Sequence, residues 1–308
     1  MPVLRRHLQE RKTAPAAAST SSAFSVASGL LPQCANPKCS SGWIKLWRSR
    51  QVPVLEGKWA CSEACMQVLV RIAVTREAVD QITEALIHQH RIPLGLMLLS
   101  RGVITQPQLK KALAAQKKEG EGRLGEWLVR QKAASEDDVV RALSSQWNCP
   151  VLSPEPHDPA LLAGSFPRLM VDSFGAVPLR LAGRQLLYVA FEDRIDRCLV
   201  LAVERMLGLR VEPCVMRESE FRLVRQQMLR AQFPKTRLLE AVNVRGVVHA
   251  FTSMIEERKA VRSQIVRVGD AFWLRTWIRT AQQDQAILPG IDEVEDMVCS
   301  LQSATDVA

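Results

Sequence analysis

The alternation of apolar and polar positions predicts a helical first half of the chain and a mixed second half. Apolar residues recur at helical spacing over residues 62–90, and shorter helical segments continue to about residue 146. A proline-rich segment, residues 150–159, closes this helical part. Beyond it, short apolar runs bounded by turn residues predict strands that alternate with amphipathic helices. The predicted strands are 176–179, 186–190, 209–216, 264–268 and 271–277, and the predicted helices are 196–207, 218–229 and 244–262.

Two stretches of the helical part repeat each other in the same register. Each copy predicts two helices around a turn, with Thr105 or Ser135 capping the second helix. Gln108 completes a capping box in the first copy, whereas Asp138 is expected to leave the box of the second copy incomplete. The first copy consists of Leu94-Gly95, Leu98, Leu109, Leu113 and Gln116, and the second of Leu124-Gly125, Leu128, Val139, Leu143 and Gln146.

Four cysteines near the N-terminus form two closely spaced pairs. Cys34 and Cys39 are separated by four residues, and Cys61 and Cys65 by three. Two short-spaced thiol pairs supply the four soft ligands that tetrahedral zinc requires, so we expect a structural Zn²⁺ site. Four ordinary thiols or a redox pair are the alternatives. The remaining four cysteines have no close partner in sequence and are expected to be small core residues.

These elements together predict an α+β multi-domain protein with a zinc finger, a helical tandem-repeat subdomain and small α/β subdomains. The length of 308 residues is sufficient for two or three compact cores. In the hairpin at 264–277, we expect one face in the core and a basic strip on the other. The predicted boundaries are 1–30 for a disordered N-terminus, 31–68 for the finger, 69–152 for the repeat, 153–232 for a small α/β subdomain, 233–280 for a C-terminal helix with a hairpin, and 281–308 for a polar tail.

The formal net charge of +9 favours an anionic partner. No apolar run is long enough to span a bilayer, and the basic N-terminus lacks the apolar core of a secretion signal, so a cytoplasmic location is expected. Basic and aromatic residues of the finger could contact nucleic acid, although a role of the tryptophans in the finger's own core is favoured. These residues are Lys45, Arg48, Arg50, Lys58, Trp43, Trp47 and Trp59.

The motifs expected of an enzyme are missing. The five histidines have no carboxylate partner at metal-ligand spacing, and no stretch has the form Gly-x4-Gly-Lys-Ser/Thr that cradles a nucleotide phosphate. Gly120-x-Gly122-x-x-Gly125 matches a dinucleotide fingerprint by letter, but a predicted helix precedes it where the fingerprint requires a strand. We therefore expect a non-enzymatic protein.

The repeat resembles the tandem motif of the MshEN domain, which reads Arg-Leu-Gly, a leucine, a glycine turn, and then Leu-x3-Leu-x2-Gln. That domain is the N-terminal part of bacterial type II secretion and type IV pilus assembly ATPases, and some members bind cyclic di-GMP. The resemblance covers residues 93–152 as motif and extends more loosely to about residue 220. It implies a regulatory module without the ATPase domain.

The resemblance also implies a set of ligand-binding residues. In such a site, glycine lets the backbone approach a ligand, and arginine stacks on a guanine or grips its acceptor edge. This chain departs from the motif at Pro93, where arginine is expected and Arg91 lies two residues earlier, and at Lys132, which replaces the turn glycine. The implied ligand-binding residues are Arg91, Leu94, Gly95, Leu98, Gln116, Arg123, Leu124, Gly125, Leu128 and Gln146.

Three functions follow as hypotheses. The first is a regulatory protein that binds cyclic di-GMP or a related nucleotide and couples this state to a protein partner. The second is a ligand-free interaction adaptor of a secretion or pilus-type assembly, which the two departures from the motif favour. The third is a zinc-finger nucleic-acid binder, which the net charge favours.

Overall fold

A computed structural model of the chain describes residues 33–40, 53–85, 91–192, 194–278 and 288–302, with side chains of the first long helix described to residue 79. The expected disorder of residues 1–30 and most of the basic and aromatic residues of the finger lie outside these ranges. The helices are α1 Glu63–Ala85, α2 Leu94–Ser100, α3 Gln106–Glu119, α4 Leu124–Arg130, α5 Glu136–Trp147, α6 Pro159–Leu162, α7 Arg168–Ser173, α8 Arg197–Leu207, α9 Glu218–Arg230 and α10 Val244–Arg258. The strands are β1 Val54–Leu55, β2 Lys58–Trp59, β3 Ala176–Ala182, β4 Leu186–Phe191, β5 Arg210–Cys214, β6 Lys235–Ala241, β7 Arg262–Val268, β8 Ala271–Trp277 and β9 Val294–Leu301. Within the described part of the chain, no helix is both long and apolar enough to cross a membrane.

The tandem repeat folds as four helices, α2 to α5, that interlock between copies. The first helix of each copy packs against the second helix of the other, so that α2 contacts α5 and α4 contacts α3. Leu98 and Leu128, at matching positions, are fully buried in the small core that these helices share. The predicted pairs of helices are therefore confirmed, with bounds within a few residues of those expected.

Both second helices of the repeat begin with a capping box. The backbone N–H of Thr105 donates to Oε1 of Gln108 at 2.7 Å, as the sequence predicts. The prediction that Asp138 leaves the second box incomplete is wrong. The backbone N–H of Ser135 donates to a carboxylate oxygen of Asp138 at 3.1 Å, and the hydroxyl of Ser135 accepts from the backbone N–H of Asp138 at 3.1 Å. Aspartate closes the box because its shorter side chain still reaches the residue that caps the helix.

A three-stranded sheet in the order β3-β4-β5 follows the repeat. Strands β3 and β4 are antiparallel, and β4 and β5 are parallel because α8 crosses between them. The N-cap Asp196 and the left-handed Gly208 bound α8, as predicted from the sequence. Since α8 contacts both β5 and β7, this unit shares its core with the C-terminal sheet.

The C-terminal sheet has four strands in the order β6-β9-β8-β7. Its second strand, β9, lies in the segment expected to be a polar tail, so that expectation is wrong for residues 294–301. The carboxylates of Glu295 and Asp296 are buried against arginines, and their neighbours along the strand are apolar. The expected basic strip of the hairpin is also wrong, since every residue of β8 after Ala271, including Arg275, is buried.

The cysteine-rich segment is joined to this sheet. The backbone N–H groups of Val54 and Glu56 donate to the carbonyls of Ala260 and Ser263, at 3.0 and 2.8 Å, so β1, which pairs with β2 in a separate two-stranded sheet, lies beside β7. Helix α1 packs against α10 and β7. The finger and the C-terminal unit therefore form one hydrophobic core, although they lie at opposite ends of the sequence.

Candidate functional site

The four predicted metal ligands come together at the start of α1. The sulfur atoms of Cys34, Cys39, Cys61 and Cys65 all lie within 4.8 Å of one another. Two of the separations, Cys39 to Cys61 and Cys61 to Cys65, are 3.5 and 3.7 Å. Thiolates around tetrahedral zinc, at Zn–S distances of about 2.3 Å, are separated by about 3.8 Å. This cluster could therefore hold a metal ion.

Neighbouring N–H groups point at the sulfur atoms of the cluster. The side-chain amide of Asn36 donates to Sγ of Cys65 at 3.2 Å, and the backbone N–H of Cys61 donates to Sγ of Cys34 at 3.4 Å. Burial raises the pKa of the Cys34 thiol to about 12, so its thiolate requires a nearby cation. A divalent ion would supply that charge, and the N–H donors would orient the ligands around it.

A cavity of about 270 Å³ lies between the second repeat copy and the small α/β unit. Five of the ten predicted ligand residues line this cavity, together with an apolar wall that includes Val139, Leu143 and Met216. The other five predicted residues are absent from its lining. Those that line it are Leu94, Gln116, Arg123, Leu124 and Gly125, and those that do not are Arg91, Gly95, Leu98, Leu128 and Gln146.

Arg123 is surrounded by carboxylates in the lining of this cavity. Its guanidinium lies 2.9 Å from Glu218, 3.1 Å from Glu192 and 3.7 Å from Glu126. It also donates to the backbone carbonyl of Glu192 at 3.1 Å. Arg222 pairs with both Glu126 and Glu218 from the opposite side. The charge of Arg123 is therefore already balanced within the protein, and an anionic ligand must displace at least one of these carboxylates.

Two of these carboxylates share a proton-binding site. Burial, together with the hydrogen bond to Glu126, raises the pKa of Glu218 to about 7. The hydrogen bond from Glu218 holds the pKa of Glu126 well below its usual range, at about 2. The pair thus carries one proton at mildly acidic pH and gives it up near neutrality.

Arg91 does not mirror Arg123 across the repeat. Its guanidinium stacks on the ring of Trp147, 3.5 Å from the ring centroid. Burial and the nearby charges of Arg197 and Arg194 lower the pKa of Arg91. Pro93 occupies the position at which the motif has arginine, and Arg91, two residues earlier, packs on Trp147.

The repeated glycines mediate helix packing. A Cβ atom on Gly95 would lie 2.7 Å from a methyl group of Leu109 and 3.1 Å from one of Leu124. A Cβ atom on Gly125 would lie 2.9 Å from Val139, with Leu94 as its other neighbour at 3.8 Å. Each glycine therefore lets its helix approach one residue of its own copy and one leucine of the other copy.

The repeated glutamines make equivalent hydrogen bonds. The amide of Gln116 donates to the carbonyl of Gly122 at 2.9 Å, and that of Gln146 donates to the carbonyl of Ile92 at 2.7 Å. Each glutamine thus closes its helix onto the backbone just before the other copy's first helix. The two copies therefore share the same spacing because each copy packs against the other through the same hydrogen bond.

The left-handed turn between the helices is also kept. Lys132 has a φ of 57°, close to the φ of 69° at Gly102, which it replaces. The departure at Lys132 therefore does not change the turn, although a side chain in this conformation costs about 1 kcal/mol.

Sequence reasoning missed the acidic residues of the cavity. Glu126 could have been found, because it stands at the third helical position after Arg123 and accepts from the backbone N–H of Arg123 at 2.9 Å. Glu192 and Glu218 come from other elements, and their approach to Arg123 depends on how the α/β unit docks on the repeat.

Comparison with known proteins finds a match to one domain family and similarity to several solved structures, of which three are described here. The sequence profile of the MshEN domain matches residues 147–234. A solved structure described as "Structure of MshE with cdg" is 24% identical, with 45% of this chain and 99% of that chain covered, at a TM-score of 0.37. Two crystal forms of the N-terminal domain of XpsE match at 18% and 20% identity, covering 46% and 45% of this chain and 98% of theirs, with TM-scores of 0.35 and 0.25. No curated protein matches the chain.

The matched range begins at Trp147, the last residue of α5, and contains β3 to β5 with α8 and α9. All ten predicted ligand residues precede it, whereas Glu192, Met216 and Glu218 of the cavity lie within it. Residues 147–234 of the chain therefore match the MshEN domain, and a tandem helical repeat and a four-cysteine cluster precede the matched residues.

Proposed function

We propose that this chain is a non-enzymatic, cytoplasmic regulatory protein that binds cyclic di-GMP or a related nucleotide and couples the bound state to a protein partner. One observation carries this proposal. Five residues of the repeat motif converge on a single cavity, and the opposite wall of that cavity belongs to the MshEN segment.

The chemistry of the cavity suits a guanine base. Guanine presents O6 and N7 as acceptors and its amino group as a donor. Arg123 can donate to the acceptors, and the carboxylates of Glu192 and Glu218 can accept from the donors. Leu94, Leu124 and the apolar wall would cover the faces of the base.

The size of the cavity limits how much of a ligand enters. Its volume of about 270 Å³ is slightly below the range for small-molecule sites, which is roughly 300–1,000 Å³. We therefore place one base in the cavity and the phosphates outside it.

Calorimetric titration of the metal-loaded protein with cyclic di-GMP tests this function. Arg123→Ala should weaken binding at least about tenfold, because it removes charge-assisted hydrogen bonds worth about 1.5–3 kcal/mol. Arg141→Ala is the matched control, since Arg141 is exposed and its ion pair is with Asp138 on its own helix. Absence of heat at high ligand concentration, or equal affinity in both variants, would refute the proposal.

We also propose that the ion held by the four cysteines is Zn²⁺ and that its role is structural. Four sulfur ligands leave no coordination position open for a substrate. Native mass spectrometry should show one zinc ion per chain, lost together with the fold of the cysteine-rich segment after chelation. A mass without metal in a folded protein would argue against it.

A ligand-free adaptor is the second candidate, and a specific observation favours it. Gly95, Gly125, Gln116 and Gln146 already make packing contacts, and the carboxylates already neutralise Arg123. In this case the repeat serves as a scaffold, and cyclic di-GMP would produce no heat. Capture of a secretion or pilus-type assembly component that is insensitive to the nucleotide would support this function.

A further inference from the structure

Four glutamates of the described residues line the cavity between the second repeat copy and the small α/β unit: Glu126, Glu136, Glu192 and Glu218. Two of them make contacts that hold helices in place. Glu126 accepts from the backbone N–H of Arg123 at 2.9 Å, at the start of α4. Glu136 accepts from the hydroxyl of Ser219 at 2.6 Å, which joins α5 to α9. Neither carboxylate can turn to a ligand without loosening a helix.

The other two glutamates differ in burial. The side chain of Glu192 is 37% exposed, whereas that of Glu218 is 24% exposed. Glu218 is the first residue of α9, and its carboxylate pairs with the guanidinium groups of Arg123, at 2.9 Å, and of Arg222. These ion pairs join side chains and can be exchanged without unwinding α9. Glu218 is therefore the carboxylate best placed to accept from a ligand in the cavity.

A donor and an acceptor stand side by side at this point of the cavity, because the guanidinium of Arg123 lies 2.9 Å from the carboxylate of Glu218. Guanine presents the acceptor O6 next to two donors, N1–H and the exocyclic amino group. Adenine has an amino group in place of O6 and an acceptor in place of N1–H. The pair therefore matches guanine, whereas adenine would set donor against donor and acceptor against acceptor.

We propose that Glu218 selects guanine over adenine in this cavity, by accepting from N1–H and the exocyclic amino group while Arg123 donates to O6. This inference rests on the proposed binding of cyclic di-GMP or a related nucleotide and identifies the residue that discriminates the base. A site built to bond a polar edge rejects an analogue that lacks it, because the buried groups of the site then stay unpaired.

Selection by Glu218 is coupled to a proton. Burial and the hydrogen bond to Glu126 raise the pKa of Glu218 to about 7, so the two carboxyl groups share a proton below neutrality. A guanine N–H would take the place of this proton, which passes to the solvent. The affinity should therefore fall as the pH falls below about 7, approaching tenfold per pH unit. The charged groups around Glu218 are Arg123 and Glu126 from α4, Glu136 from α5, Glu192 after β4, Arg222 on α9 and Arg217 at its N-cap.

Calorimetric titrations with cyclic di-GMP and cyclic di-AMP, at about pH 8 where Glu218 is ionised, test the selection. The wild-type chain should bind the guanine ligand at least about tenfold more tightly than the adenine ligand. Glu218→Gln should weaken binding of cyclic di-GMP at least about tenfold and remove most of this preference, because an amide accepts at one atom and donates at the other. Glu220→Gln is the matched control, since Glu220 lies on the same helix and pairs with Arg217.

Proton release is a second measurement, and it needs no variant. Titrations of the wild-type chain in buffers of different ionisation enthalpy should show close to one proton released per ligand at about pH 6 and almost none at about pH 8. Absence of binding by the wild-type chain would overturn both this inference and the proposed function. Binding that is unchanged in Glu218→Gln, or that releases no proton at about pH 6, would overturn the role of Glu218 alone.

Discussion

Replacement of Arg275 should destabilise the protein strongly. Arg275 and Asp296 are both fully buried, and two guanidinium nitrogens lie 2.7 and 2.8 Å from the carboxylate oxygens. The guanidinium also donates to the carbonyls of Gly164 and Ser165, at 2.7 and 3.0 Å. The indole N–H of Trp273 donates to the same carboxylate at 2.8 Å. One side chain thus ties the loop after α6 to the centre of the C-terminal sheet.

The expected loss in the free energy of unfolding follows from the buried groups that lose their partner when Arg275 is replaced. Arg275→Met keeps most of the volume but leaves the carboxylate of Asp296 buried, with the Trp273 indole as its remaining side-chain donor among the described residues. Removing one partner of a buried ion pair costs about 3–5 kcal/mol, and the two abandoned carbonyls place the expected loss at the upper part of that range. The double variant Arg275→Met/Asp296→Leu removes the uncompensated charge and should recover part of this loss.

Urea unfolding followed by circular dichroism measures both changes. The single variant should lose about 3–5 kcal/mol in the free energy of unfolding, and the double variant less than the sum of the two single variants. A loss below about 1 kcal/mol for Arg275→Met would mean that water or another group satisfies Asp296 after the substitution. Arg275 would then not be required to neutralise the buried carboxylate.

Three further predictions concern the metal cluster, the acidic pair and the repeat. Removal of the metal by chelation, or the substitution Cys61→Ser, should expose the core shared by α1 and α10. The thermal midpoint of unfolding should then fall for the C-terminal sheet as well as for the cysteine-rich segment. A lower midpoint for the cysteine-rich segment alone would contradict this prediction. In the folded state the pKa of Glu218 is raised from 4.5 to about 7, so the folded chain binds more protons than the unfolded chain between these values. This contribution to stability is therefore present below pH 4.5 and is lost as the pH rises toward 7. In Glu218→Gln, the free energy of unfolding should accordingly change less with pH between 4.5 and 7 than in the wild-type chain. Gln116→Ala and Gln146→Ala should each cost about 0.5–1.5 kcal/mol, with similar values because their hydrogen bonds are equivalent; a large difference in chemical denaturation would contradict the interlocked arrangement of the copies.

Much of the local structure could be predicted from the sequence. The period of the leucines located α2 to α5, and the caps Thr105, Ser135 and Asp196 located helix starts to within a residue. The spacing of the four cysteines was sufficient to group them, because two short loops bring their sulfur atoms together regardless of the rest of the fold. Strand β9 was missed because Glu295 and Asp296 suggest exposure unless their arginine partners are known.

The repeat, its helix caps, the cysteine pairs and the lack of a phosphate-loop motif depend on neighbours along the chain, and they can be recognised without a structure. Which of the repeated residues remain available to a ligand depends instead on how distant segments pack together. Gly95, Gly125 and the two glutamines contact the opposite copy, and the docking of α9 brings Glu218 to Arg123. The physical reason is that packing and charge balance depend on distances between segments far apart in sequence, which the period of one helix does not encode.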